Sequence, residues 1–365
     1  MTKARTNASA SPAVGRNMVI NGAMNVAQRS ASVTGIGTDG YYTLDRWHIN
    51  MGTTSAGRLT MSQTADGPNN ISANCLKLDC TTVDTSIAAG EFILLSQRFE
   101  GQNLQRIGKG VVGAKQVTVS FYVKANAAFT FGLELYDNDN SRQISKLFAT
   151  TTDWVRHEIT FPADVDNGSS PFDDDNANSL NLQFWLHAGS TFTGGTLNTA
   201  SWANDSSANR APGIDSFFSS TDNNFFITGV QFEVGPVATE FEQEDFGVTL
   251  AKCQRYCQKF PYVDSTGSGY APFGHGQAYS NARIYATMAY PSVMRASPTI
   301  TASGSFRSVV GSGANSGGTL TAVDINQSSA ILKYETGGTS LTVGQSGWVS
   351  GNNDPDAHVL LEADL

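Results

Sequence analysis

Aromatic and amide side chains alternate with apolar residues in three stretches of the sequence. In VTVSFYVKA, FTFGLELYD and LNLQFWLHA, the positions between the apolar residues include Tyr122, Tyr136, Asn181, Gln183 and Trp185. An aromatic ring can lie against the C–H face of a sugar while amide groups bond the sugar hydroxyls. These five residues are therefore candidates for a carbohydrate-binding site. Two alternatives stay open, because such aromatic rings also pack against a neighbouring subunit or lie under a loop.

A second candidate surface is the segment FPYVDSTGSGYAPFGHGQAYSNARIYATMAYP, which is dense in tyrosine. Tyr262, Tyr270, His275 and Tyr279 stand there among glycine, serine and asparagine. Tyrosine mixed with small polar residues is typical of adaptable recognition surfaces. The segment is thus predicted to form a receptor-binding tip, and the alternative is that its rings pack into an ordinary core.

Acidic loops offer oxygen ligands for a hard cation. In YDNDNS, Asp137 and Asp139 provide carboxylates, which Ca²⁺ prefers. Arg142 stands where a calcium-binding EF-hand loop requires glycine, so that motif does not apply. The two aspartates are candidate ligands of a structural calcium ion, with hydrated turns as the alternative.

No complete catalytic motif occurs in the sequence. GQSGW lacks the spacing of a serine-hydrolase elbow. HEITF begins like a zinc-protease helix, but Phe161 replaces the second histidine. We therefore expect no enzymatic activity. A glycan depolymerase stays as an alternative, since the many acidic residues could supply the carboxyl pair that glycoside hydrolysis needs.

Strict alternation of apolar and polar residues dominates the chain. It predicts strands with one apolar face in segments such as Val117–Ala125, and Asp/Asn/Gly/Ser clusters separate these segments. The pattern predicts an all-β protein: an antiparallel jelly-roll β-sandwich, then a short helix, then a second, smaller β-sandwich. One expected face is formed by Phe226, Val230, Phe232 and Val234.

The predicted organisation has four parts. Residues 1–16 form a flexible attachment strip, residues 17–245 the jelly roll, residues 246–261 a linker helix and residues 262–365 a C-terminal β domain. The helix is predicted because Phe246, Leu250 and Cys253 recur at helical spacing before Pro261. The tight Asn21-Gly22 pair predicts a hairpin at the start of the jelly roll.

Composition limits the possible partners. The 365 residues carry a net charge of −9 without a cluster of basic residues, which argues against nucleic-acid binding. No apolar run is long enough for a signal peptide or membrane span, so we expect a soluble protein made in a cytosol. The four cysteines lack metal-ligand spacing and are expected to be reduced and mostly buried.

Six motifs occur in a recognisable order: NMVINGAMNVAQRS, YYTLDRWHI, FEGQNLQRIGKG, VTVSFYVKA, FITGVQFEVGPVATEFE and LAKCQRYCQKF. As a set, they resemble the carbohydrate-binding-module-like jelly-roll domain of tail fibres and other structural proteins of tailed phages. The resemblance covers roughly residues 17–260.

The resemblance implies a structural virion protein, made in the host cytoplasm, often a homotrimer, with a jelly roll of a glycan-binding fold. The expected partners are other copies of the chain, other tail or capsid proteins and a host-surface glycan. A capsid-decorating or connector protein without receptor binding is the structural alternative.

Overall fold

A computed structural model of the chain describes residues 15–52, 55–166, 169–261, 269–311, 313–338 and 340–365. The chain divides into two compact units, Met1–Asp245 and Phe246–Leu365. This division coincides with the expected end of the jelly roll at residue 245. No helix in the described part of the chain has the length and apolar character needed to cross a bilayer.

The first unit is a sandwich of two antiparallel sheets. Numbered along the chain and given in order across the first sheet, the strands are β1 (Ser32–Ile36), β4 (Arg58–Thr64), β5 (Cys75–Thr82), β13 (Asn224–Val234), β7 (Val117–Ala125) and β10 (Val155–Phe161). The second sheet contains β12 (Ala203–Asn204), β9 (Arg142–Ala149), β8 (Thr130–Asp137), β11 (Asn178–Ala188), β6 (Phe92–Glu100), β3 (His48–Met51) and β2 (Gly40–Tyr41). The chain crosses repeatedly between the sheets, as in a jelly roll, and the all-β prediction is confirmed.

Short helical segments join some of these strands. Helix α1 (Ser190–Thr193) follows β11, and single 3₁₀ turns lie at Gly101–Asn103, Gln105–Ile107, Ser207–Asn209 and Phe217–Ser219.

Alternation along the strands builds the core between the two sheets. The inward residues of β7 and β11 are buried as the sequence predicts, and they include Phe121 and Phe184, whose ring centroids lie 5.1 Å apart. In β13 the prediction is wrong for Phe226. A bulge at Gly229, which has a φ of +59°, shifts the alternation, so Phe225 points inward and Phe226 outward.

The Asn21-Gly22 segment is a turn without flanking strands, so the expected hairpin does not form. Asn21 has a φ of +59°, and its side-chain amide donates hydrogen bonds to the carbonyls of Val26 and Asp45. Side-chain bonds therefore replace a strand ladder here. Within the expected attachment strip, residues 1–14 lie outside the described residues, and the Gly15 amide donates to Glu242.

The second unit begins with α2 (Phe246–Gln254), which is shorter than the predicted helix over 246–261. The residues after it form β14 (Cys257–Phe260), which pairs with β23 (His358–Glu362). Ladder bonds to the last strand of the chain decide this conformation, and a local pattern cannot reveal them. All four cysteines are buried and none is part of a disulfide, which agrees with the expected reduced thiols.

The strands of the second unit form two antiparallel sheets. The third sheet contains β14, β23 and β17 (Thr299–Ser303). The fourth contains, in order, β19 (Gly313–Ser316), β18 (Phe306–Val310), β22 (Ser346–Gly351), β15 (Pro272–Ser280), β16 (Arg283–Ala289), β21 (Ser329–Glu335) and β20 (Thr319–Val323). Buried residues such as Ile284, Leu332, Val349 and Leu361 form one core.

Candidate functional site

Four of the five predicted sugar-binding residues share one face of the second sheet. Asn181 pairs with Tyr136 across β11 and β8, and Gln183 and Trp185 follow at alternate positions of β11. Tyr122 does not join them. It lies on β7 of the first sheet, with its ring directed away from the core, so the grouping of all five residues is wrong.

This face of the second sheet is covered by residues 189–216, which we call the covering segment. The Trp185 ring lies 5.3 Å from that of Phe192, and its side chain is only 1% exposed. Asn181 and Gln183 are also buried. The sequence left three interpretations of these aromatic residues: contact with a sugar, packing against a subunit, or a position under a loop. For Trp185 the structure shows the third.

Arg210 of the covering segment occupies the middle of the face. Its guanidinium donates to both carboxylate oxygens of Glu134, at 3.0 and 2.8 Å, and to Gln183 Oε1 at 2.9 Å. The same group lies over the rings of Tyr136 and Trp185, 4.4 and 5.0 Å from their centroids. The aromatic and amide groups that would contact a sugar are thus bound to a side chain of the same protein.

Asp137 also has a partner within the chain. The Lys109 ammonium lies 2.5 Å from Asp137 Oδ2 and 3.2 Å from Asp164 Oδ2, and Arg142 forms a two-pronged pair with Asp164. Asp139 accepts the amide of Asp173 at 3.0 Å. A calcium ion at Asp137 would have to displace Lys109. Asp137 and Asp139 therefore each have other partners in this structure and do not form a ready pair of calcium ligands. Calcium binding stays a prediction.

The charges around Asp164 predict acid sensitivity of the first unit. Burial alone would raise the pKa of Asp164, but the hydrogen bonds and charges of Arg142 and Lys109 outweigh burial and lower this pKa. A lowered folded-state pKa stabilises the fold above the ordinary pKa of aspartate, and the stabilisation disappears as pH falls through the folded value. We expect the melting temperature to drop below about pH 4, and Asp164→Asn to make this drop shallower. Calorimetry measures the melting temperature of wild type and Asp164→Asn over this pH range. Equal slopes of melting temperature against pH in the two proteins would contradict the role given to Asp164.

The predicted receptor tip lies in the second unit. Tyr262 falls outside the described residues. Tyr270, His275 and Tyr279 are all exposed, and Tyr279 is 65% accessible to solvent. The described rings therefore face solvent, and the alternative of burial in the core does not hold for these three.

Strand pairing continues this surface across the fourth sheet. His275 lies opposite Trp348 on one side and Thr287 on the other, and Trp348 lies opposite Val309. Paired residues of antiparallel strands point to the same face. We call this set of four residues the aromatic row. Trp348 is 38% exposed.

Polar groups border the aromatic row. Two positions along β15 from His275, Gln277 lies opposite Tyr285 and Ser346. The Tyr285 ring packs edge-on against Tyr279, with centroids 5.1 Å apart. Side chains directly opposite one another stand about 5 Å apart at Cβ, so amide, hydroxyl and ring groups lie within the dimensions of a monosaccharide.

Trp348 was not recognised from the sequence as part of this surface. Its signal was present, because WVS follows the same alternation that places Trp348 outward and Val349 inward. What the sequence does not contain is the pairing of β22 with β15, which brings residues 348 and 275 together.

No protein-family model matches the chain, and no curated protein matches its sequence. The solved structures that it resembles include a family 4 carbohydrate-binding module, with a TM-score of 0.31, 12% identity, and coverage of 59% of this chain and 98% of the module. A family 61 module in complex with β-1,4-galactotriose has a TM-score of 0.29 and 10% identity, covering 60% and 100%. A xylan-binding domain from Paenibacillus barcinonensis Xyn10C has a TM-score of 0.27 and 14% identity, covering 57% and 94%.

Proposed function

We propose that this chain is a non-catalytic glycan-recognition protein of a phage virion, and that the aromatic row of the second unit contacts the glycan. The observation that carries the binding proposal is the open face around Trp348 and His275. A tryptophan ring exposed on the outer face of a sheet, beside other exposed rings, is typical of a surface that binds a ligand or partner.

The chemistry of this face favours sugars. Trp348 and Tyr279 offer ring faces for C–H groups, while Gln277, Thr287 and Ser346 offer amide and hydroxyl groups for sugar hydroxyls. On the covered face of the first unit, the aromatic and amide groups contact Arg210 and are not open to a sugar. The second unit is therefore the better candidate for glycan contact.

Binding without turnover is supported by the surroundings of Glu335, an acidic residue of this sheet. Glu335 lies 2.6 Å from Arg283 and 3.5 Å from Lys333. Desolvation acts to raise the pKa of Glu335, but the bonds and charges of these two cations lower it. A carboxyl group with a lowered pKa is a poor general acid, and glycoside hydrolysis normally needs such an acid.

The virion assignment is supported by the six ordered motifs of the sequence, which resemble phage tail-fibre proteins. A fibre would carry the chain as a homotrimer, and several copies acting together would strengthen weak single-site binding. Electron microscopy of purified particles with a labelled antibody tests this directly. Label at the tail is expected, label on the capsid would favour a decorating protein, and unlabelled particles would contradict the virion proposal.

Replacing Trp348 with alanine tests the glycan site. Loss of the ring is expected to weaken glycan binding about tenfold, which corresponds to about 1.4 kcal/mol. The ring lies on the outer face, so the core stays intact. Wild type and Trp348→Ala are compared on a glycan array, and the affinity for bound glycans is measured by calorimetry.

Trp154→Ala is the matched control, because it removes a partly exposed tryptophan from the first unit. It should bind as wild type does. Equal binding by wild type and Trp348→Ala would remove the aromatic row from the proposal. Sugar released from a host polysaccharide would instead indicate a depolymerase.

A further inference from the structure

Three buried ionisable side chains meet in the first unit, near the end of β11. Asp84, Glu91 and His187 each bring one ligand atom within 4.8 Å of the others. Asp84 and Glu91 lie in the connection between β5 and β6, and His187 lies near the end of β11. All three side chains are buried, and His187 is fully so.

Backbone hydrogen bonds hold these segments together. The Asp84 amide donates to the Phe218 carbonyl at 2.9 Å, and the Gly189 amide donates to the Glu91 carbonyl at 2.8 Å. The fold therefore places the three side chains together before any ligand binds, which lowers the cost of ordering a site.

One ring nitrogen of His187 has no hydrogen-bond partner among the residues that the structure describes. Nδ1 lies 2.7 Å from Ser216 Oγ, and the ring packs edge-on against Phe218. Nε2 is buried and finds no hydrogen-bond partner in the parts of the chain that the structure describes. When Nδ1 donates to Ser216, Nε2 carries a free lone pair, which is the arrangement of a metal-binding imidazole.

The two carboxyl groups lack a cationic partner within the described ranges of the chain. Asp84 accepts hydrogen bonds from Ser55 Oγ and the Ala56 amide at 2.9 and 2.8 Å. Glu91 Oε2 accepts a hydrogen bond from the Ala88 amide at 3.0 Å. Neither carboxyl is paired with a lysine or arginine among the described residues. The cluster therefore needs either a shared proton or a bound cation.

We propose that Asp84, Glu91 and His187 Nε2 bind one divalent transition-metal ion of the zinc type. Imidazole with carboxylates suits Zn²⁺, whereas Ca²⁺ prefers oxygen ligands alone. Zinc ligands lie about 2.1 Å from the ion in a tetrahedral arrangement, so two ligand atoms are about 3.4 Å apart. Shifts of up to about an ångström in the side chains would close the site. This site is separate from Asp137 and Asp139.

The ion would tie the β5–β6 connection to the end of β11. It would raise the melting temperature of the first unit by about 5–10 °C at a free zinc concentration one hundred times the Kd.

The test uses the full chain without a histidine tag, treated with chelator and titrated with zinc chloride by calorimetry and thermal melting. One zinc ion per chain is expected. His187→Ala and Glu91→Gln should each weaken zinc binding at least about tenfold, while His358→Ala in the second unit should match wild type. Cobalt(II) should give visible absorption bands in wild type that both site variants lose.

Two site variants are used because one of them could fold poorly. Circular dichroism identifies which variant is folded, and zinc binding is judged on that one. Absence of zinc binding at one ion per chain would overturn the proposal. So would unchanged binding in the folded site variant, or stabilisation by calcium equal to that by zinc. The glycan experiments use a different unit, so either proposal can fail alone.

Discussion

Replacing Lys109 with methionine is expected to lower the free energy of unfolding of the first unit by about 3–5 kcal/mol. The Lys109 ammonium and the Asp137 carboxylate are both buried, and Lys109 also donates to the Ser170 carbonyl at 2.8 Å. Methionine keeps most of the side-chain volume but leaves Asp137 buried without its countercharge. Urea denaturation followed by tryptophan fluorescence measures the change.

The fluorescence signal can be restricted to the first unit. In a Trp348→Phe background, the other four tryptophans all lie in the first unit, so fluorescence reports on that unit. Lys77→Met is the matched control, because Lys77 and Asp79 form a partly exposed pair that should contribute at most about 1 kcal/mol. Equal losses in both variants would show that burial of the Lys109 pair has no special energetic role.

A double variant tests the charge argument itself. Lys109→Met together with Asp137→Leu removes both buried charges, and it should recover part of the stability lost in the single variant. No recovery would indicate that the hydrogen bonds of Lys109 and Asp137 to their other partners dominate.

Replacing Arg210 with methionine is expected to destabilise the first unit by about 3 kcal/mol and to loosen the covering segment. Glu134 is fully buried and would lose both guanidinium hydrogen bonds. The Trp185 indole still donates to Glu134 at 2.8 Å, but it cannot neutralise the carboxylate. Urea denaturation gives the stability. The increase of iodide quenching over wild type reports on exposure of Trp185, which is buried in the native protein.

Arg283→Met provides the comparison on a surface pair. Arg283 and Glu335 are both well exposed and lie in the second unit, so this variant should match wild type in first-unit stability and in quenching. A rise in quenching for Arg210→Met alone is the expected signature of a loosened covering segment. Unchanged quenching and stability would mean that apolar packing of Phe192 and Ala211 holds the segment without Arg210.

The covering segment changes where recognition is expected. Strand alternation correctly placed Tyr136, Asn181, Gln183 and Trp185 on one outward face. The prediction of an open sugar site there assumed that outward means exposed. Arg210 and the apolar contacts of Phe192 close this face. The exposed aromatic row of the second unit is therefore the better candidate for glycan binding.

The sequence by itself determined the class of the fold and much of its core. Alternating residues such as Val119 and Phe121 face inward because side chains of a strand point to opposite sides in turn. The division at residue 245 was also visible as a change from strands to a helical spacing. Local rules of this kind need only neighbours in the chain.

Tertiary structure alone decided which groups meet. Alternation fixes a side chain's face but not the sheet it joins, so Tyr122 and Tyr136 were grouped although they lie on different sheets. It also cannot supply partners that are distant in sequence, such as Lys109 for Asp137 or Asp84 for His187. The pairing of β15 with β22 likewise brought Trp348 beside His275. These contacts depend on strand order and loop paths, which are selected by the packing of the whole unit.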